Sequence, residues 1–277
     1  MRRQLIALGM LCGLLPGFVV HTHAAEAPAV SAASAVLMDA ETGRVLYAHN
    51  EQEPRAIAST TKLMTALVAA EYLGGDLSET VEIKREWTGI EGTSLYLKPG
   101  ETITLKTLLY GLLLHSGNDA AVAMAEHLAG SEAAFVERMN RRAQELGMKD
   151  TVFVNCTGLP AAGHHSSAYD IALMSRELIL HHPDIRTYTT IWMDSIRDGA
   201  FGLTNTNRLV RFYPGATGLK TGSTDSALYC LSATAERDGM ELIAVVMKAP
   251  SSAHRFDDAK ALLDYGFSAW SLVSVYP

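Results

Sequence analysis

Ser59 and Lys62 have the residue types and the spacing that nucleophilic catalysis requires. Ser59 stands directly before apolar residues at helical spacing between positions 63 and 70, so both side chains are expected in the first turn of a helix. Residues three apart share a helical face, and the Lys62 amine can therefore reach the Ser59 hydroxyl. Burial, the positive end of the helix dipole and a second cation would each favour the neutral amine that a general base needs. The alternative is an ordinary serine N-cap followed by a solvated lysine.

Ser116 and Asn118 form a second polar group, in a loop between an apolar segment and a helix that starts at Asp119. A loop hydroxyl can relay a proton to a leaving amine, and an asparagine amide can hold a peptide group of a substrate. The alternative is a loop that ends in a helix cap.

Lys220, Thr221 and Gly222 form a third group, which is expected to belong to a strand beside residues 226–236. A glycine within a strand often marks the close approach of a ligand. The alternative is a turn at a sheet edge with an exposed lysine.

The elements that must position these residues are strands at both ends of the chain and helices between them. Hairpins are predicted at 35–39 with 44–48 and at 228–236 with 240–248. Helices are predicted near 59–73, 105–114, 119–128, 132–146, 168–181 and 252–265, several of them ending at glycine. This order predicts an α/β protein of the α+β type. Its antiparallel sheet combines N-terminal and C-terminal strands, is packed with helices and carries an inserted all-helical subdomain.

The N-terminus indicates export. Arg2 and Arg3 precede an apolar run and a small-residue stretch, which is typical of a signal peptide over residues 1–25. Residues 26–33 are predicted to be a flexible leader, and residues 34–277 a single catalytic domain. The protein is therefore expected outside the cytoplasmic membrane, in the wall or periplasmic space or secreted, without an integral membrane span.

Charge and cysteine content narrow the choice of partner and cofactor. The whole chain carries 23 basic and 30 acidic residues, and removal of Arg2 and Arg3 makes the balance still more acidic, which argues against nucleic acid as a partner. Cys156 and Cys230 remain after the signal, and either two buried thiols or one bridge is compatible with the sequence. Adjacent histidines occur at positions 164–165 and 181–182, and their spacing is not that of a convincing metal-binding motif. They are interpreted as loop and helix-end residues, and neither a metal nor another cofactor is expected.

Taken together, the three motifs resemble the active-site set of penicillin-recognising serine enzymes. Residues 155–160, 165–170, 205–209, 218–222 and 255–259 are further similar to low-molecular-mass penicillin-binding proteins that are D-alanyl-D-alanine carboxypeptidases. The resemblance covers roughly residues 34–267 and implies a fold of the β-lactamase and transpeptidase type. It also implies peptidoglycan stem peptides as substrates and β-lactams as covalent inhibitors.

The resemblance also implies a role for each site residue. Lys62 would take the proton of Ser59, and Ser59 would attack the carbonyl of the penultimate D-alanine. The backbone N–H groups of Ser59 and Ser223 would form the oxyanion hole, and Ser116 would pass a proton to the departing D-alanine. Asn118 would hold the peptide amide, with Gly222 allowing close approach of the substrate. Lys220, Thr221, Ser223 and Arg255 would receive the terminal carboxylate.

Departures from the class A β-lactamase pattern narrow the activity. Position 117 is glycine, and no Glu-x-x-Leu-Asn follows it, so efficient β-lactam hydrolysis is not expected. Three alternatives remain open: a DD-endopeptidase, a weak β-lactamase on the same site, and a catalytically idle penicillin-binding or sensor domain.

Overall fold

A computed structural model describes residues 3–7, 26–74 and 76–274. The strands are β1 (Arg3–Ala7), β2 (Ser34–Asp39), β3 (Val45–His49), β4 (Thr80–Glu82), β5 (Thr102–Thr104), β6 (Met193–Ile196), β7 (Phe201–Thr204), β8 (Ala216–Thr224), β9 (Leu228–Arg237), β10 (Met240–Ala249) and β11 (Trp270–Ser274). The α-helices are α1 (Lys62–Leu73), α2 (Leu105–Tyr110), α3 (Asn118–Ala129), α4 (Glu132–Glu145), α5 (Ala168–His181), α6 (Arg186–Thr189), α7 (Leu209–Phe212) and α8 (Ser252–Ala269). Three 3-10 helices (Ala58–Thr61, Arg85–Trp87 and Pro183–Ile185) and a π-helical turn (Gly111–His115) complete these elements.

The main sheet joins the two ends of the chain. Its five strands are antiparallel in the order β3-β2-β10-β9-β8, so that the N-terminal hairpin pairs with the C-terminal strands through β2 and β10. The strand β8, which carries the third motif, forms one edge of the sheet. The predicted fold class is confirmed.

Helices cover both faces of this sheet. Side chains alternate along a strand, so each strand presents apolar residues to both layers of helices. In β2, Val36 and Met38 contribute to a large core that includes apolar residues of α1, α3 and α5. The intervening Ala35 and Leu37 pack in a second core with α8. All six residues of β2 are buried, as expected for a strand that lies between two layers of helices.

The region between β3 and β8 is largely helical, as its sequence pattern predicts, but the inserted part is not all-helical. It contains two short hairpins, β4 with β5 and β6 with β7. In the first hairpin, Val81 and Ile103 stand opposite each other and are both buried, while their neighbours face outward. The strands of the two hairpins have only three or four residues each, which is too short to give a visible alternation in sequence.

The predicted flexible leader, residues 26–33, is fixed to the domain at its C-terminal end. The buried carboxylate of Asp258 accepts hydrogen bonds from Ser31 N, Ser31 Oγ and Ala32 N at 2.8–3.0 Å. Ala32 is 2% exposed within the second core. The boundary of the ordered domain therefore lies before position 34. The predicted signal peptide lies outside the described residues, apart from β1, which pairs with β11.

Cys156 and Cys230 are free and buried, so the alternative of two buried thiols is correct and that of one bridge is wrong. Among the described helices, none has the length and apolar character needed to cross a membrane. Within the same ranges, no group of three or more His, Cys, Asp or Glu side chains is arranged to hold a metal ion.

Candidate active site

The first and third motifs meet where the edge strand β8 packs against the 3-10 helix Ala58–Thr61. A Cβ atom on Gly222 would lie 2.9 Å from both the Ile57 carbonyl oxygen and the Ser59 amide nitrogen. Only glycine allows the two backbones to approach this closely. The strand motif is therefore held directly beside the Ser59 backbone.

Ser59 and Lys62 stand one helical turn apart, as their spacing predicts. Ser59 lies in the 3-10 helix and Lys62 is the first residue of α1. The Lys62 Nζ atom lies 3.0 Å from the Ser59 Oγ atom. The Lys62 side chain is completely buried, so the alternative interpretation of Lys62 as a solvated lysine is wrong.

Two further oxygen atoms surround the Lys62 amine. Nζ donates to Asn118 Oδ1 and to the Thr157 carbonyl oxygen, each at 2.6 Å. A neutral amine has two hydrogens and one lone pair, so these two short bonds leave the lone pair for the Ser59 hydroxyl hydrogen. The arrangement matches the geometry that a general base needs.

Electrostatics favour the neutral form of Lys62. Burial lowers its pKa from 10.5 to about 7, and this effect outweighs the opposing influence of Cys156 and Asp119. A substantial fraction of Lys62 is therefore unprotonated at neutral pH.

The second motif is brought to Lys62 by the start of α3. Ser116 ends the π-helical turn in the left-handed region, with φ +70°, and is 6% exposed. Asn118 begins α3 and donates from Nδ2 to the Glu91 carbonyl oxygen at 2.6 Å, while its Oδ1 accepts from Lys62. The Asn118 amide is thereby fixed in one orientation.

Asp119 holds the loop in front of this motif, a role that the sequence motifs did not reveal. It is completely buried, and its carboxylate accepts hydrogen bonds from Leu95 N, Leu97 N, Ser94 Oγ and Ala120 N at 2.6–3.1 Å. The carboxylate therefore joins the loop 94–97 to the first turn of α3, where Asn118 lies.

Replacing Asp119 with asparagine should lower the free energy of unfolding by about 2–4 kcal/mol. An amide group places a donor where one carboxylate oxygen accepts two hydrogen bonds, and buried unpaired donors are costly. Urea unfolding of this variant beside Asp225→Asn, a change at an exposed acid, measures the difference. A loss no larger than that of Asp225→Asn would contradict the assigned role.

Lys220 is completely buried beside the first motif. Its Nζ donates to the Thr221 carbonyl oxygen at 3.0 Å, and in the described part of the chain no carboxylate lies within ion-pair distance of it. Burial lowers the pKa of Lys220 well below its usual value, and the charges of Lys62 and Arg255 act in the same direction. Such a group favours an incoming anion, which would restore its charge.

The neighbours of Lys220 lie as predicted along the strand. Thr221 donates from Oγ1 to Thr206 Oγ1 at 2.6 Å, and Ser223 is exposed. Arg255 reaches the same strand from α8 and donates from Nη1 to the Gly222 carbonyl oxygen at 3.2 Å. The Arg255 Nε atom is buried and has no partner among the described residues. Burial lowers the pKa of Arg255 to about 10.

The loop 155–160 forms the remaining wall of the site. Asn155 Oδ1 accepts hydrogen bonds from Thr157 N, Thr157 Oγ1 and Gly158 N, and this places the Thr157 carbonyl oxygen against Lys62. A cavity of about 410 Å³ opens between this loop and the end of β8, with Ala58 and His164 in its lining. The cavity therefore adjoins the segment that precedes Ser59, at Ile57 and Ala58.

Comparisons with known proteins give the family and the fold of this chain. A family model described as D-alanyl-D-alanine carboxypeptidase matches residues 21–251. The carboxypeptidase DacF of Bacillus subtilis is 45% identical over 251 residues, which cover 88% of this chain and 64% of that relative. DacD of Escherichia coli is 37% identical over 289 residues, which cover 99% of this chain and 74% of that relative. The chain thus spans slightly less than two thirds of the length of DacF.

Solved structures show the same fold. Penicillin-binding protein 6B from Escherichia coli superposes with a TM-score of 0.83 and 36% identity, covering 89% of this chain and 80% of that one. Penicillin-binding protein D2 from Listeria monocytogenes in its ampicillin-bound form gives a TM-score of 0.78 and 35% identity, covering 86% and 98%. The chain belongs to the D-alanyl-D-alanine carboxypeptidase family of serine peptidases.

Proposed function

We propose that this protein is a serine D-Ala-D-Ala carboxypeptidase that removes the terminal D-alanine from peptidoglycan stem peptides. The observation that carries the proposal is the buried Lys62 amine, whose two hydrogens are directed to carbonyl oxygens while Ser59 Oγ lies 3.0 Å away. Family membership supports the reaction, and the roles of individual residues below are part of the proposal.

In the first half-reaction, Lys62 accepts the Ser59 proton and Oγ bonds to the carbonyl carbon of the penultimate D-alanine. The N–H groups of Ser59 and Ser223 stabilise the resulting oxyanion, each such donor being typically worth about 3 kcal/mol of barrier. When the intermediate collapses, the C–N bond breaks, Ser116 delivers its proton to the departing amine, and Ser116 is reprotonated by the proton that Lys62 took from Ser59. The terminal D-alanine leaves, and an acyl group remains on Ser59.

In the second half-reaction, water adds to the acyl carbon, and the bond to Ser59 Oγ breaks to release the shortened peptide. Lys62 takes a proton from this water and passes it to Oγ, which restores the free enzyme. A β-lactam would acylate Ser59 in the same way. The neighbour from Listeria was crystallised with ampicillin and, separately, with cefotaxime, which supports extending this reactivity to the present chain.

Substrate binding follows from the charged side chains beside β8. Lys220 is buried without a carboxylate partner among the described residues, so the terminal carboxylate of the substrate fits there, with Thr221, Ser223 and Arg255 as further donors. Gly222 permits the close approach of the substrate. The side-chain amide of Asn118 binds both the peptide amide of the substrate and Lys62. Such a substrate supports a location outside the cytoplasmic membrane, with residues 1–25 as the signal peptide and a catalytic domain that begins before position 34.

The test is release of D-alanine from a stem pentapeptide that ends in D-Ala-D-Ala, with a Ser59→Ala variant as the control. We expect release by the parent protein only, and benzylpenicillin should leave its acyl group on the tryptic peptide that contains Ser59. Equal release by the variant, or a penicillin adduct elsewhere, would overturn the assignment.

The remaining activities are distinguished by their products. Cleavage of a cross-linked muropeptide without D-alanine release would identify an endopeptidase, and rapid hydrolysis of the penicillin would identify a β-lactamase. Acylation of a folded parent by the penicillin without turnover of any of these substrates would identify an idle penicillin-binding or sensor domain.

A further inference from the structure

His164 is a buried side chain with a defined place next to the active site, although its position in the sequence suggested only a loop residue. It follows the loop 155–160 and is 8% exposed. Its ring packs edge-on against Phe153, with centroids 5.9 Å apart, and it lines the cavity beside Ala58. The mechanism described above makes no use of this group.

A chain of three hydrogen bonds runs from His164 towards the nucleophile. The Val154 N–H can only donate, so it donates to His164 Nδ1, at 3.1 Å. Nδ1 is therefore unprotonated, and the neutral ring carries its hydrogen on Nε2. Nε2 lies 2.8 Å from Thr61 Oγ1 and donates to it, while Thr61 donates to the Ala58 carbonyl oxygen at 2.8 Å.

The chain ends on the peptide bond that joins Ala58 to Ser59. A peptide unit is planar, so the direction of the Ala58 C=O group fixes the direction of the Ser59 N–H group. Ala58 has φ +47°, in the left-handed region that is unfavourable for a residue with a Cβ atom. Contacts around this peptide must therefore hold it in place, and the bond from Thr61 is one of them.

We propose that His164 is a positioning residue that aims the Ser59 N–H at the substrate oxyanion, acting through Thr61 and the Ala58 carbonyl group. The inference rests on the proposed function, because it concerns the oxyanion hole of that reaction. Acceptance of the Val154 N–H by Nδ1 requires the neutral ring, since a doubly protonated imidazole would direct a hydrogen at that N–H.

The surroundings of His164 favour that neutral ring. Burial lowers the pKa of His164 to about 4, and the charge of His165 acts in the same direction. Thr61 and the backbone of Val154 carry no charge, and His165 donates from Nδ1 to the Gly163 carbonyl oxygen at 2.7 Å. The ring therefore stays neutral throughout the pH range in which Lys62 acts as a base.

Three variants of the full protein test the proposal through the rate constant of Ser59 acylation by benzylpenicillin. His164→Leu and Thr61→Val each break the chain, and each should slow acylation by about 10- to 100-fold with little change in the concentration for half-saturation. His164→Gln should stay within about threefold of the parent, because its amide can accept from Val154 and donate to Thr61 without titrating. His165→Gln, at the neighbouring residue, is the matched control.

The combination of His164→Leu with Thr61→Val should be no slower than either single variant, because both remove the same chain. Parent-like acylation by His164→Leu, or failure of His164→Gln to preserve the rate when it folds normally by circular dichroism, would overturn the proposal.

Nuclear magnetic resonance gives a readout that does not depend on activity. The imidazole nitrogen shifts should show an unprotonated Nδ1, and the Ser59 amide resonance should move in His164→Leu but not in His165→Gln. A hydrogen on Nδ1, or an unmoved Ser59 resonance, would overturn the positioning role. If the parent is not acylated, the proposed function fails, and the Ser59 resonance alone then decides whether His164 aims this peptide.

Discussion

Replacing Lys62 with methionine should slow acylation of Ser59 by about 10³- to 10⁴-fold. Methionine has similar length and no lone pair of comparable basicity, so the Ser59 hydroxyl loses its proton acceptor. Lys62→Arg should be equally slow. A guanidinium can donate to Asn118 Oδ1 and the Thr157 carbonyl oxygen, but it does not deprotonate at working pH. The pair of variants therefore separates loss of the base from loss of the positive charge.

The same amine sets the expected pH dependence. Because the pKa of Lys62 is lowered to about 7, the neutral fraction rises as the pH rises through that value. The acylation rate of the parent should increase nearly tenfold per pH unit below 7 and level off above it. Stopped-flow acylation between pH 5 and 9 measures the profile, with Lys106→Met, a change at an exposed lysine, as the control.

Two outcomes would contradict this account. One is a Lys62→Met variant that stays within tenfold of the parent, since another group would then accept the Ser59 proton. The other is a parent profile that inflects near the ordinary lysine pKa of about 10.4, since burial would then leave Lys62 charged at neutral pH.

Much of the fold could be predicted because its elements carry local signals. The helix predicted at 168–181 has those bounds in the structure, where Ser167 Oγ accepts from Asp170 N at its start. The helix predicted to stop at Gly266 instead continues to Ala269. A Cβ atom on Gly266 would lie 2.5 Å from a Leu242 side-chain atom, so this glycine serves close packing of α8 on the sheet and does not end the helix. Sequence spacing alone does not distinguish these two uses of glycine.

The candidate site could be predicted only where side-chain types reveal it. Ser59, Lys62 and Asn118 could be singled out as site residues because their hydroxyl, amine and amide groups are visible in sequence. The Thr157 carbonyl oxygen, which binds Lys62 at 2.6 Å, has no such signal because every residue carries a carbonyl. His164 and Asp119 act through backbone groups of distant segments, and this depends on tertiary packing that no local pattern specifies.

Replacing Gly158 with alanine should disrupt the nucleophile segment from the opposite wall of the site. A Cβ atom at this position would lie 1.9 Å from the Ala58 carbonyl oxygen and 2.9 Å from the Ser59 amide nitrogen. Both atoms belong to backbone, so relief requires a shift of the Ala58–Ser59 peptide by about 1 Å or more. Since misplacement of about 1 Å can cost about 10²-fold in rate, acylation should slow by at least about that factor.

Gly163, three residues beyond the loop 155–160, offers a matched control. The two glycines have φ +84° and +83°, but a Cβ atom on Gly163 would meet nothing within 4 Å. Gly163→Ala should therefore cost about 1 kcal/mol of unfolding free energy for the left-handed backbone alone, whereas Gly158→Ala should cost about 2–4 kcal/mol. Urea unfolding and penicillin acylation of both variants separate strain from displacement. Equal effects of the two changes on acylation would mean that the loop 155–160 does not hold Ser59 in place.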